Sequence, residues 1–470
     1  MGPRTFSWFS IVRLGLVQAA LGAVVVLTTS TLNRVMVVEL ALAAMVPGAL
    51  VTLHHAMQLL RPRMGHGSDV GQRRTPWIVL GMAALAIGGI GAAGAIAVMV
   101  DHPGLGLALA VVSYALIGGG VSACGTSLLV LMAKRVAPSR RAAAATVVWM
   151  MMIASFAITA TLAGKFLDPF SPQRLLTVAA VISAIALAVT VLAMVRLESP
   201  GRGTDTGAAT AYDPAGAEQS GLRGRTAFRE ALAQVWAEPD ARRFTLFVFV
   251  SMLAYSAQDL ILEPFAGVVF GWSPGESTQL AGAQHGGVFV GMLLVAIVTS
   301  VFKGTRLASL KGWVVGGCLA SAAAMMGLVV AGLSGGGEWP LGANVWILGI
   351  ANGAFSIAAI ASMMTLASRG RGAREGTRMG LWGAAQAIAF GMGGFLGTAL
   401  VDLAQWVAGP SGLAYAFVFG LEALGFVVAH RLAATTAFGE HGERRAERAR
   451  SALRPRAYLP EAIESARSGA

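Results

Sequence analysis

The chain has 470 residues, of which 56% are hydrophobic and only 12% charged, whereas soluble globular proteins carry about 25% charged residues. With a mean hydropathy of +0.68, this composition excludes an ordinary water-soluble domain. The net charge of +12 is not a nucleic-acid footprint, because its arginines are distributed among short loops between apolar runs, where lipid headgroups and membrane topology account for them.

A helix that crosses roughly 30 Å of hydrocarbon needs about 20 apolar residues. The first run, 12–35, is too long for a secretory signal and lacks a small-residue cleavage site, so it reads as the first spanning helix. Runs at 40–60, 76–100, 105–132, 144–166 and 174–196 follow. The stretch 198–224 can neither span nor pack a core and reads as a linker. TAFREALAQVWAEPDARR, directly after it, reads as a short amphipathic helix at the membrane surface. Further runs lie at 244–268, 278–302, 312–333, 342–366, 378–402 and 411–434, before a charged Arg/Glu tail. They are too long for barrel strands and do not alternate. The expectation is an all-α membrane protein with twelve transmembrane helices in two pseudo-symmetric halves. Its parts are a six-helix bundle (1–197), a cytoplasmic linker with the amphipathic helix (198–243), a second six-helix bundle (244–435) and a cytoplasmic tail (436–470).

Loop charge sets the expected orientation. Arg61, Arg63, Arg73 and Arg74 follow the second run, and Lys134, Arg135, Arg140 and Arg141 the fourth. Lys303, Arg306 and Lys311 follow the eighth, and Arg369, Arg371, Arg374 and Arg378 flank the loop after the tenth. The alternate loops are poor in Lys and Arg, which places these four on the cytoplasmic side with both termini. Gly120, Arg141 and Trp149 recur 233 residues later as Gly353, Arg374 and Trp382, an internal repeat close to half the chain, as in the paired halves of membrane carriers. Cys124 and Cys318 lie in apolar stretches of opposite halves, which speaks against a disulfide framework or a zinc site. Gly287 with Gly291, and Gly393 with Gly397, have helix-packing spacing. A flat face for a large ring system is the sharper reading of the same glycines.

Polar residues at membrane depth are costly and are functional candidates by default. Asn33, Arg34 and Glu39 end the first run, with Arg34 about 31 Å along the helix from Arg13. Arg34 either snorkels to headgroups or pairs with Asp259 or Glu263 in the seventh run, where Gln258 is also polar. Structural pairing, ligand contact and proton coupling all remain open for this group. His54 and His55 in the second run, and His285 beside Gln284 in the eighth, are hydrogen-bonded helix histidines or neutral imidazole ligands for the magnesium of a tetrapyrrole. Trp77, Trp149, Trp313, Trp346, Trp382 and Trp406 lie mostly near run ends, as interfacial anchors do. The phosphate-loop, H-E-x-x-H and D-x-x-x-D patterns are missing from the sequence, which disfavours an enzyme.

The loop RPRMGHGSDVGQRRTPW resembles the signature loop of the major facilitator superfamily, with Gly65, Asp69, Arg73 and Arg74 matching. Val70 replaces a basic residue and the second glycine is displaced to Gly71, and the loop after the eighth run, VFKGTRLASLKGW, has lost the motif. These departures weaken a gating role. TSTLNRVMVVEL, RPRMGHGSD, RRTPW and QDLILEPFAGVVFG resemble one family within that superfamily, the PucC/LhaA (BCD) family of phototrophic bacteria. The short loop is similar to the branch associated with bacteriochlorophyll biosynthesis genes. The resemblance implies an assembly factor for photosynthetic antennae that binds or delivers bacteriochlorophyll or a precursor, with room for a carotenoid, and chaperones light-harvesting subunits. It implies no catalysis, bacteriochlorophyll synthase as a partner, and a bacterial inner or intracytoplasmic photosynthetic membrane. His54, His55, His285, Asn33, Gln258 and Glu263 are then pigment-binding candidates, with magnesium entering only as part of the pigment. A proton-coupled carrier of a small molecule or porphyrin precursor is the alternative.

Overall fold

The computed structural model describes residues 6–61, 73–137, 140–198, 236–302, 305–369, 375–409 and 411–436. The described chain is built from helices. In the first half these are α1 Trp8–Glu39, α2 Met45–Met57, α3 Thr75–Asp101, α4 Pro103–Arg135, α5 Arg141–Leu167 and α6 Pro172–Met194. In the second they are α7 Pro239–Phe270, α8 Pro274–Val301, α9 Leu310–Leu333, α10 Leu341–Arg369, α11 Glu375–Ala408 and α12 Gly412–Thr435. Eleven of them are long and apolar enough to cross a membrane. Their outward faces carry side chains such as Leu80, Ile87, Ile158, Leu192, Leu319 and Ile347 in exposed positions, which suits a lipid surround.

The exception in length is α2. The run at 40–60 predicts a full span, but Ala41 adopts a left-handed φ of 52°, so the chain turns before the helix starts at Met45. With its 3-10 turn Gln58–Leu60, α2 is about 25 Å long. Apolar residues alone could not reveal that the first of them serve a turn.

Each half has its own core, one centred on Ile11, Leu14, Leu85, Ile117 and Leu128, the other on Phe244, Phe265, Phe355, Phe419 and Phe426. Within the first half α3 packs on α4 and α6, α1 on α5 and α6, and α2 on α4. The same pairings recur in the second half with each number raised by six: α9 on α10 and α12, α7 on α11 and α12, and α8 on α10. The main seams between the halves, α5 against α8 and α2 against α11, are also images of one another. Their backbones approach closely: a Cβ on Gly164 would lie 2.5 Å from Gly275 O, and one on Gly48 would lie 2.1 Å from Thr398 Oγ1.

The repeat is therefore real, but two of the three residues that signalled it are not equivalent. Gly120 packs on Gly81 and Leu85 of α3, whereas Gly353 packs on Val288 of α8. Trp149 is exposed and Trp382 is buried against the Phe244 ring, so Trp382 is no interfacial anchor; Arg374 lies outside the described residues. A better marker of the pseudo-two-fold is the hydrogen bond from Ser30 to Glu263, two residues separated by 233 positions. The spaced glycines serve packing: Gly287 and Gly291 sit on the α10 backbone, Gly393 and Gly397 on α7.

Candidate functional site

The polar residues of α1 are presented by an irregular helix. Wide π-helical turns at Leu27–Thr31 and Val35–Glu39 bracket the short α-helical stretch Leu32–Arg34. Such turns re-aim side chains and recur at functional positions. They direct Ser30, Thr31, Asn33 and Arg34 at the other half. Ser30 donates to Glu263. Asn33 donates to the Leu260 carbonyl at 2.6 Å, and Thr278 of α8 to Thr31 at 3.2 Å.

Arg34 does not snorkel: it is 2% exposed. Nor is its ion pair with Asp259 or Glu263. It forms the pair with Glu39, one π-turn further along α1, at 2.5 Å, and donates to the Trp272 carbonyl just beyond α7 at 2.7 Å. The five-residue spacing of Arg34 and Glu39 would misalign them on a regular helix; the π-turn brings them together. Asp259 instead accepts from Gln284 of α8 at 3.1 Å, beside the buried Gln258.

The histidines occupy two seams and do not converge. On α2, Gln58 Nε2 lies 3.2 Å from both His54 Nε2 and His55 Nδ1. The two rings meet edge to face at 4.8 Å. His54 is buried and its Nδ1 has no hydrogen-bond partner. His55 is half-buried, with its ring 6.1 Å from that of Phe390 on α11. A Cβ on Gly391 would only touch His55 Cβ at 3.6 Å. His285 lies on the other seam, edge-on to Phe156 of α5 at 5.0 Å, and its Nδ1 also lacks a partner.

A neutral imidazole nitrogen with no internal partner is chemically suited to hold a magnesium ion, so His54 and His285 would fit that role by donor type. A shallow groove of about 320 Å³ lies between α1 and α5, lined by Ala19, Met151, Ala154, Ser155 and Ile158. It adjoins none of these histidines.

In the signature loop, Gly65 and Asp69 lie outside the described residues. Arg73 and Arg74 precede α3, and Arg74 is 8% exposed. The start of α3 is pinned by a residue outside the motif. Glu198, just past α6, accepts from the backbone N–H groups of Arg74 at 2.9 Å and Thr75 at 2.8 Å, and from the Thr75 hydroxyl at 2.8 Å. Burial pushes the Glu198 carboxyl up, but these bonds and the Arg74 charge outweigh it and leave the group below its ordinary 4.5.

Sequence reasoning passed over Glu422 of α12, 5% exposed with neither carboxyl oxygen hydrogen-bonded. The signal was available, since FGLEALGF places an acid in an apolar run as plainly as SAQDLILEPF does. Ser30, Thr31 and Thr278 carried no such signal, because hydroxyls are common in membrane helices.

A family model described as PUCC protein matches residues 31–438. The chain is 50% identical over 430 residues to the "Bacteriochlorophyll synthase 44.5 kDa chain" of Rhodobacter capsulatus, covering 91% of this chain and 95% of that one. It is 29% identical over 453 residues to "Protein PucC" of the same organism, covering 89% and 90%. Among solved structures it resembles a D-xylose-proton symporter with a TM-score of 0.62 at 14% identity, over 89% of this chain and 97% of that one. At that identity the likeness shows the fold alone, that of the major facilitator superfamily.

Proposed function

We propose, from the premise that this chain belongs to the PucC protein family, that it is an assembly factor for bacterial photosynthetic antennae, holding (bacterio)chlorophyll and escorting light-harvesting subunits in the membrane. The observation that carries the reading is the family match over nearly the whole bundle, from the polar end of α1 to the end of α12. The greater identity to the bacteriochlorophyll synthase chain than to PucC favours a station close to pigment synthesis, with the synthase as partner. The word synthase belongs to that relative's name; the family match and the carrier-like fold support a non-enzymatic role for this chain.

A chlorin with an isoprenoid tail is too apolar to cross water, and a lipid-embedded helix face suits it. His54 and His55 on α2, the latter facing α11, and His285 on the α5–α8 seam, supply the ligand nitrogens. Bound magnesium chlorin would contribute its own absorption and a Lewis-acidic centre; the protein contributes position and exclusion of water. Both termini then face the cytoplasm, on the side of the arginine-rich loops. The test is purification from a pigment-producing host in mild detergent. A bound chlorin band that co-elutes with the protein is expected, and a colourless preparation contradicts the reading.

A second reading, a proton-coupled carrier, is favoured by the symporter-like fold and by the acidic side chains of the half-buried Asp259 and the buried Glu263 and Glu422. It predicts uptake driven by a pH gradient that Asp259→Asn abolishes.

A further inference from the structure

The end of the bundle away from the arginine-rich loops is closed by charged groups seated on helix termini of the opposite half. Asp402, near the end of α11, accepts from the first backbone N–H groups of α2, Ala44 at 2.8 Å and Met45 at 2.7 Å. No side chain of α2's own segment caps that terminus. Asp168, at the end of α5, accepts from the hydroxyl of Ser273, the N-cap of α8, at 3.0 Å. Its carboxylate lies directly over Gly275, so that a Cβ there would sit 2.2 Å from Oδ2.

The two arrangements are images of each other. Asp168 and Asp402 lie one residue away from the 233-residue offset that relates Ser30 to Glu263. They act on α8 and α2, themselves pseudo-equivalent. Each puts a negative charge on the positive end of a helix dipole. Arg34 adds the converse at the same end, a cation on the carbonyl of Trp272 beyond the C-terminus of α7.

We propose that Asp168 and Asp402 are a matched pair of latches that hold the two halves together at this end, so that the bundle opens only toward its arginine-rich end or sideways into lipid. Charge-assisted bonds of this kind are the strong ones. Each latch reaches across the seam to a helix that begins there, so parting the halves breaks both. The inference does not depend on what the protein carries.

The test uses the full-length protein in lipid nanodiscs with both faces accessible. Cys124 and Cys318 are replaced by alanine and a single probe, Ser277→Cys, is introduced in the first turn of α8, where the side chain is 0% exposed. Labelling is by a bulky maleimide polymer that cannot thread the bundle. The probe is expected to be inert with both latches intact and to react at least about tenfold faster in Asp168→Asn/Asp402→Asn, since each lost bond is charge-assisted. The single variants Asp168→Asn and Asp402→Asn serve if the double variant does not fold; each is expected to raise the rate by a smaller factor. Rapid labelling with both latches intact overturns the proposal, as does an inert probe in folded variants lacking them.

Discussion

Along α1 and α7 the polar side chains bond to one another and to nearby carbonyls, although Asn33 Oδ1, Arg34 Nε and Glu263 Oε2 keep no partner. Asn33 is spent on Leu260, Arg34 on Glu39 and Trp272, and Glu263 on Ser30. On α2, His54 and His55 share a single amide, Gln58, and a ring nitrogen of His54 is left over. Both groups lie at membrane depth, where an unpaired polar atom is expensive. The contrast teaches that a buried polar residue is informative about ligands only after its internal partners have been subtracted. The α1–α7 strip is joinery between halves, and the histidine pair stands apart from it on α2, where the proposed function places pigment.

The sharpest way to break this contrast is at Arg34. Arg34→Ala removes the partner of Glu39, itself 36% exposed, and frees the Trp272 carbonyl, and loss of hydrogen bonds from a charged donor costs about 1.5–3 kcal/mol. Denaturation in detergent is expected to show that loss, with little protein accumulating in membranes; an unchanged midpoint would remove Arg34 from the joinery. Asn33→Ala is expected to cost about 1–2 kcal/mol by the same measurement, and Ser30→Ala about 1 kcal/mol or less. His55→Leu, a half-buried position, is expected to stay within about 1 kcal/mol of the parent yet to lower the chlorin-to-protein absorption ratio of the purified complex. If it costs as much as Arg34→Ala and leaves pigment untouched, the two regions have been assigned the wrong way round.

The smallest effect is at the opposite end. Glu198 is held below its ordinary 4.5 in the folded chain, so its contribution is full above that value and fades as pH falls through the folded value. Glu198→Gln should melt below the parent at neutral pH and converge with it in acid. A constant difference across the range would remove the carboxylate from the clamp on α3.

The fold was legible because lipid imposes simple demands: run length, low charge and arginine-rich alternate loops lead directly to the helices of two halves. What composition could not reveal was local geometry. Nothing in TSTLNRVMVVEL announces two π-turns, and without them Arg34 cannot be seen to choose Glu39 over Asp259. Ala41 reads as one more apolar residue of a span, not as a left-handed turn that shortens α2. Of the site, His54, His55 and His285 were visible as residue types, but that they occupy two separate seams is a tertiary fact. Asp168 and Asp402 were missed because each lies near a helix end, where an acid passes for ordinary surface.

The assembly reading is tested most directly in a phototrophic strain lacking this protein and complemented either with the parent or with His55→Leu at matched membrane abundance, by measuring the antenna absorption of isolated membranes. The account predicts antenna lost in the deletion, restored by the parent and only partly restored by His55→Leu. Antenna at normal level in the deletion would contradict it.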